Sequence, residues 1–295
     1  MNLQICGLSK SFGKNKALQK ISIDFDAKVY GLLGENGSGK TTFMRCLARI
    51  YMTDSESVLW DQAPLTEARE KDYLKSVGYL PQHFGLYKSL SLYDALSTVY
   101  FAKGLAADKR EASILEAVRL VNLTDKLQTR ISALSGGMLR RAGIAQALLG
   151  EPSLLMFDEP TTGLDPEERL RFKNLISDIK GGRTILLSTH IVEDVEAVCD
   201  RILVLHKGRL LGDFSQEELR SKAEGKVYQI DAEEESLLVP PFWVVKKILH
   251  KGRVALRVLS QNNQRAEKIG SGIEDGYFYL LKQMEDEAHW SENIH

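Results

Sequence analysis

The stretch Gly34-Glu35-Asn36-Gly37-Ser38-Gly39-Lys40-Thr41 constrains this chain more than any other. It fits G-x-x-x-x-G-K-[ST], whose glycines let backbone N–H groups curl around a phosphate without Cβ interference. In such a loop the Lys40 ammonium bridges the outer phosphates and the Thr41 hydroxyl holds Mg²⁺. The flanks agree. Val29-Tyr30-Gly31-Leu32-Leu33 is a short apolar run that predicts a buried strand, and Phe43, Met44, Leu47 and Ile50 recur at helical spacing. Strand, loop and helix in that order aim a helix N-terminus, with free N–H groups and a positive dipole end, at the phosphate. The plain alternative is a glycine-rich turn before an ordinary helix.

Upstream, residues 2–9 and 17–26 predict strands around a Gly13–Lys16 turn, with Ile21, Ile23 and Phe25 alternating against polar neighbours. Phe12 precedes that turn; its ring could stack on an adenine or join the core. Downstream, Val77–Leu80 predicts a strand that ends in Pro81-Gln82. Residues from about 91 to 150 turn helical, broken by Ser135-Gly136-Gly137. The continuous apolar runs 154–158, 184–189 and 202–205 suit parallel strands covered on both faces. Between the first two, Asp165-Pro166 predicts a capped helix start, followed by the stripe Phe172, Leu175, Ile176 and Ile179. The alternation indicates an α/β fold with a mainly parallel sheet. A Lys207–Arg209 hairpin turn closes this part. A short helix over 216–223 and strands near 227–230, 242–245 and 254–258 then predict a small α+β domain over 215–295, with a frayed tail from Glu285.

Bulk properties narrow the function classes. The 295 residues allow one large domain, or one large and one small. A net charge of -1 gives no general attraction to nucleic acid or anionic lipid. Cys6, Cys46 and Cys199 are few and irregularly spaced, which favours a reducing compartment, and no CxxC suggests zinc. The opening residues predict a strand rather than a secretory leader. No apolar run approaches the ~20 residues of a membrane helix, so any membrane-spanning work falls to another polypeptide.

Hydrolysing a nucleotide takes more than a phosphate cradle: it needs a metal carboxylate, a group to polarise water and further donors for the γ-phosphate. Asp158-Glu159 ends the apolar run 154–158, at the carboxyl edge of a parallel sheet, where ligands bind. Asp158 suits Mg²⁺ and Glu159 the attacking water; a loop-capping acidic pair is the alternative. Leu134-Ser135-Gly136-Gly137-Met138 offers a second anion site, Ser135 plus exposed N–H groups on a positive helix end. Alone, it reads as an N-cap with flexible glycines.

Taken together, these motifs resemble the ATP-binding subunit of an ATP-binding cassette transporter. Residues 34–41 resemble its Walker A loop, with Thr42 adjoining. Gln82 resembles the Q-loop glutamine, Leu134–Met138 the signature, Leu154–Glu159 the Walker B strand, Gly163-Leu164-Asp165 the D-loop and His190 the switch histidine. The resemblance implies a P-loop NTPase cassette over residues 1–214: a mainly parallel sheet, an antiparallel β-subdomain and a helical subdomain at about 85–145. Residues 215–295 form a C-terminal accessory α+β domain. Gln82–Tyr87, Met138 where many members carry Gln, and Ser188–Val195 resemble the branch that exports drugs, antibiotics, polysaccharides or peptides. Ile273-Glu274-Asp275-Gly276-Tyr277-Phe278 resembles that branch's Leu-Glu-Asp-x-Phe-like segment.

The resemblance also implies partners and roles. ATP and Mg²⁺ are the ligands, with Phe12, residues 34–42, Ser135, Gly136, Gly137 and Asp165 contacting nucleotide. Thr41, Gln82 and Asp158 serve the metal, and Glu159, His190 and Gln82 the chemistry. A second ATP-binding subunit faces the first head to tail, and complete motifs point to a homodimer. A separate integral membrane permease docks near Gln82–Leu90, which places the chain peripherally at the cytoplasmic face of the membrane; nucleic acid is not a partner. Two rivals stand beside this: a non-transport cassette ATPase acting on a soluble macromolecule, and a sensor that binds ATP without turnover.

Overall fold

The computed structural model describes residues 2–250, 252–261 and 266–292. They fall into two compact units, up to Asp213 and from Phe214 on. In the first unit the chain runs β1 (Leu3–Phe12), β2 (Asn15–Phe25), β3 (Val29–Leu33), α1 (Lys40–Leu47), β4 (Val58–Trp60), β5 (Ala63–Pro64), α2 (Glu67–Lys75) and β6 (Val77–Leu80). It continues through α3 (Leu92–Ala102), α4 (Arg110–Leu120), α5 (Gly136–Leu148), β7 (Leu154–Asp158), α6 (Pro166–Ile179), β8 (Thr184–Thr189), α7 (Val192–Val198), β9 (Arg201–His206) and β10 (Arg209–Phe214).

Six strands form the main sheet in the order β10-β9-β3-β8-β7-β6. The pairs β3–β8, β3–β9, β7–β8 and β6–β7 are parallel. Every residue of β3, β7 and β8 is buried, which is why these strands read as unbroken apolar runs. The second sheet, β2-β1-β4-β5, is antiparallel. Ile21, Ile23 and Phe25 point inward from β2 while their polar neighbours face water. β1 and β2 extend further towards each other than the sequence predicts, because only Gly13-Lys14 forms the turn.

Helix α1 lies between the two sheets. Phe43, Met44 and Leu47 join one core cluster with Ile5, Phe25, Leu32, Met156 and Leu186. Fully burying each such side chain is worth roughly 1.5–3 kcal/mol, so the position of α1, and of the loop before it, is fixed from both sides. Phe157 points to the other face of the main sheet, edge-on to Phe172 of α6 at 5.6 Å. Helices α3, α4 and α5 pack on one another as a group.

The second unit holds α8 (Gln216–Ser221), β11 (Val227–Asp231), β12 (Phe242–His250), β13 (Arg253–Ser260), β14 (Glu267–Lys268) and α9 (Ile273–Glu292). Its sheet, β12-β13-β11-β14, is antiparallel where the pairing is described. Ser215 and Glu218 close a reciprocal capping box on α8. Two residues of the 273–278 segment have local jobs. Asp275 is buried and takes a two-point ion pair from Arg257 of β13, at 2.8 and 2.5 Å. Gly276 lets α9 press against the Leu219 carbonyl of α8, where any Cβ would overlap. Helix α9 runs on past Glu285, where the sequence predicts a frayed tail, to Glu292; an i,i+3 pair from Lys282 to Glu285 supports it there.

Candidate functional site

The loop between β3 and α1 closes on itself. The Ser38 N–H donates to the Glu35 carbonyl at 3.2 Å. The buried Lys40 ammonium donates back to the carbonyls of Gly34 at 2.7 Å and Glu35 at 3.1 Å. Gly34 is held so near β9 that a Cβ there would overlap the Leu205 carbonyl. Gly37 and Gly39 take φ of 79° and 110°, in the left-handed region that favours glycine. Helix α1 begins at Gly39 with no side-chain cap, whereas Ser91, Ser135 and Asp165 cap α3, α5 and α6. Its first N–H groups therefore point out of the loop without a side-chain acceptor.

Strand β7 runs beside β8 and ends at the same level. Asp158 is fully buried there, and its Oδ1 accepts from Ser188 Oγ at 2.6 Å and Thr41 Oγ1 at 3.2 Å. The Tyr79 hydroxyl lies 3.5 Å from Oδ2. Burial first, and the Asp158 charge second, push that phenol up to about 12, so it stays a donor. Thr41 and Asp158 thus bring a hydroxyl and a carboxylate oxygen together, the hard donors Mg²⁺ prefers. Among the described residues no cluster of three or more His, Cys, Asp or Glu could hold a metal ion. The donor set is that of an ion sharing its ligands with phosphate and water.

Glu159 follows with φ of 51°, rare for a residue with a Cβ. Its N–H donates to Ser188 Oγ at 2.9 Å. Its carboxylate accepts from Thr162 Oγ1 at 2.8 Å and faces His190 Nδ1 at 2.9 Å, which puts the ring proton on Nδ1. The Lys40 ammonium stands 3.6 Å away. Burial pulls the Lys40 pKa down, opposed by the charge of Glu159 and then Asp158. A lysine, two carboxylates and an imidazole are thereby focused on one point.

That point opens into a cavity of about 910 Å³. Asn36, Gly37, Gly39, Lys40, Thr41 and Thr42 form its floor, with Gln82 and Glu159 on one wall. Phe12 lines another wall; it is 45% exposed and edge-on to Tyr51 at 5.1 Å, so its ring face is open to a ligand rather than lost in the core. One observation tests whether a triphosphate with its metal fits: Ser38 Oγ is buried with no hydrogen-bond partner among the described atoms. A buried hydroxyl without a partner is costly, and a phosphate oxygen in this loop would supply one.

The other residues singled out from sequence lie elsewhere. Ser135 and Gly136 are exposed, and neither they nor Gly137 line the cavity. Ser135 Oγ accepts from the Met138 N–H at 3.2 Å as the cap of α5. Asp165 caps α6 through the Glu168 N–H at 2.9 Å. Besides Tyr79, three contributors carry no prior assignment. Ser188 joins Asp158 to Glu159, and its signal is a polar Ser-Thr-His ending on the apolar strand β8. Thr162 repeats the same logic after Glu159. Arg140, one turn into α5, reaches the carbonyls of Gln82, Glu159 and Pro160, with no sequence signal at all.

The likeness to known proteins follows this geometry. A family profile described as ABC transporter matches residues 18–162. The Nod factor export ATP-binding protein I of Rhizobium sp. (strain N33) is 36% identical over 220 residues, 72% of this chain and 70% of that protein. The Methionine import ATP-binding protein MetN of Rhizobium johnstonii is 34% identical over 215 residues, 71% of this chain and 59% of that protein. Among solved structures, cbiO1 from Clostridium perfringens, part of the ABC transporter complex cbiONQ, matches with a TM-score of 0.67 at 26% identity, covering 75% of this chain and 91% of that chain. A phosphate loop under an Asp-Glu pair, on a parallel sheet shared with such relatives, leads to one family: the chain belongs to the ABC transporter ATP-binding proteins, ATPases that act on ATP with Mg²⁺.

Proposed function

We propose that this ATPase drives export through a separate membrane subunit, with its site residues divided as follows. The loop 34–42 and Lys40 hold the phosphates, and the Phe12 ring packs on the adenine. Thr41 and Asp158 hold Mg²⁺, with Gln82 at the cavity wall beside them. When bound, such an ion would supply charge neutralisation at the phosphate oxygens. Glu159 polarises the attacking water, and Thr162 and His190 keep its carboxylate aimed. The observation that carries this reading is the convergence of Lys40, Thr162 and His190 on Glu159 at the mouth of the loop.

Ser135–Gly137 and Asp165 serve the site of a second copy. They lie outside the cavity of their own chain, and an exposed loop of this kind completes a site only when another molecule brings it there. A homodimer at the cytoplasmic face of the membrane satisfies both loops at once.

Export rests on the 36% relative named for it and on Met138 in the signature, against a relative named for import. Over the segment 82–90, expected to dock a membrane subunit, exposure is uneven. Phe84 is half-buried against α5, since a Cβ at Gly143 would overlap its ring, whereas Tyr87 is 72% exposed. In the same unit a groove of about 640 Å³ has Ile50, Leu74, Val99 and Lys103 on its walls. Ile50 is 56% exposed, so it and Tyr87 are two exposed apolar groups proposed for a membrane subunit to cover.

The test is co-purification of the full chain from detergent extracts, followed by vesicle transport. A bound membrane protein that exports cargo with ATP supports the reading. Tyr87→Glu and Ile50→Glu should release that protein while basal ATPase persists. Ribosomes or nucleic acid in its place would instead support an ATPase acting on a soluble macromolecule.

A further inference from the structure

Arg140 stands one turn into α5, and its side chain points back at the catalytic edge of the sheet. Its Nη2 donates to the Glu159 carbonyl at 2.8 Å, Nε to the Pro160 carbonyl at 3.2 Å and Nη1 to the Gln82 carbonyl at 3.3 Å. The guanidinium also lies over the Phe84 ring, 5.8 Å from its centre. Gly143, one turn further along the same helix face, meets that ring so closely that no Cβ fits. Phe84 is thus wedged against α5 by two residues at i and i+3. The three carbonyls come from two loops, one after β6 and one after β7, which are parallel neighbours in the sheet.

Glu159 needs such support. A left-handed φ in a residue with a Cβ costs of order 1–3 kcal/mol and persists only where the surroundings over-determine it. Ser188 fixes the Glu159 N–H and Arg140 fixes its carbonyl, so the residue is held from both ends. A guanidinium presents five donors in a flat, rigid fork that spans carbonyls on two loops, whereas a lysine ammonium offers three donors from a single atom and cannot hold the same spread.

We propose that Arg140 is a positioning residue for ATP hydrolysis, holding the backbone of Glu159 and the Gln82 loop in register from helix α5. This rests on the reading of Glu159 as the residue that polarises water. It has a mechanical consequence. Helix α5 carries the exposed Ser135–Gly137 loop at its start, so a displacement of that loop along the helix axis displaces the Glu159 carbonyl through Arg140. The second anion-facing loop and the water-polarising carboxylate are one rigid connection apart.

The experiment uses the full chain as wild type, Arg140→Ala, Arg140→Lys and Glu159→Gln. It measures kcat and KM for ATP, affinity for a fluorescent ATP analogue with Mg²⁺, and amide hydrogen exchange without nucleotide. Arg140→Ala should lower kcat by roughly tenfold to a hundredfold, as a small misplacement of a catalytic group does. KM and analogue affinity should hold. Exchange should rise at 82–84 and 159–162 but not at 34–43, and Arg140→Lys should restore only part of kcat. Should Arg140→Ala not fold, Arg140→Gln keeps a shorter side chain with one amide NH₂ and is expected to shift the same readouts in the same direction. Wild-type kcat in the Arg140 variants beside an inactive Glu159→Gln overturns the inference alone. So does a loss in which kcat, analogue affinity and melting temperature fall together, the mark of general support for the fold. Turnover surviving in Glu159→Gln overturns the assignment of Glu159, and the inference with it.

Discussion

Two glycine-rich turns open two helices in this molecule, and they are built in opposite ways. At α1 the N-cap is Gly39 and no side chain caps the helix; at α5 the Ser135 hydroxyl caps its own helix from the Met138 N–H. The first turn is enclosed. The Gly34 N–H donates to Thr189, the Ser38 carbonyl accepts from Gly208, and Lys40 is buried under both. The second stands in the open, and a Cβ on Gly136 would meet nothing within 4 Å. The same ingredient, glycines before a helix, makes a pocket where strands and loops converge on it. Where little converges, it leaves an exposed helix start. The first turn is enclosed within one chain; the second is the turn proposed to face another chain.

The comparison breaks most visibly at Glu159. Glu159→Gln keeps the shape of the enclosed site and removes the charge proposed to polarise water. Turnover should fall by ~10²–10⁴-fold while nucleotide affinity holds, as steady-state ATPase assays beside a binding titration would report. Near-normal turnover would take the chemistry away from this site.

Two serines sharpen the contrast. Ser38 Oγ is buried without a partner, so Ser38→Ala should leave the nucleotide-free protein as stable as wild type, or up to about 1 kcal/mol more stable, and still weaken ATP binding. Ser135→Ala removes a helix cap in use. It should lower stability by about 1 kcal/mol and leave the affinity of a single chain for ATP unchanged. Urea unfolding and nucleotide titration of both variants check the crossed pattern; a stability loss at Ser38 or an affinity loss in monomeric Ser135→Ala would erase the distinction.

What could be read from sequence follows the same division. The enclosed site was legible because its parts are local strings: a loop of eight residues, an Asp-Glu pair ending an apolar strand, a histidine ending another. Strand topology brings those strings together, and continuous apolar runs already imply it. Ser188 was half legible, as a polar residue closing an apolar strand. Arg140 was not, since an arginine in a helix carries no mark of which carbonyls it will reach across the fold. The burial of Phe84 was illegible for a related reason. Nothing in a glycine-containing loop marks that a glycine on a distant helix, Gly143, leaves room for its aromatic ring. Strand ends were also misplaced where polar residues continue the pairing, as at Lys246 and Lys247 of β12, which face Arg257 and Leu256 of β13.

The claim that the Ser135 loop is half a site is tested most directly by the mass of the protein in solution. Glu159→Gln, incubated with ATP and Mg²⁺ and measured by light scattering after size exclusion, should run as a dimer and revert to monomer without nucleotide. Adding Ser135→Arg, which fills the exposed loop with a side chain no phosphate can pass, should hold it as a monomer at the same ATP concentration. A monomer in the first case, or an undiminished dimer in the second, would contradict the account.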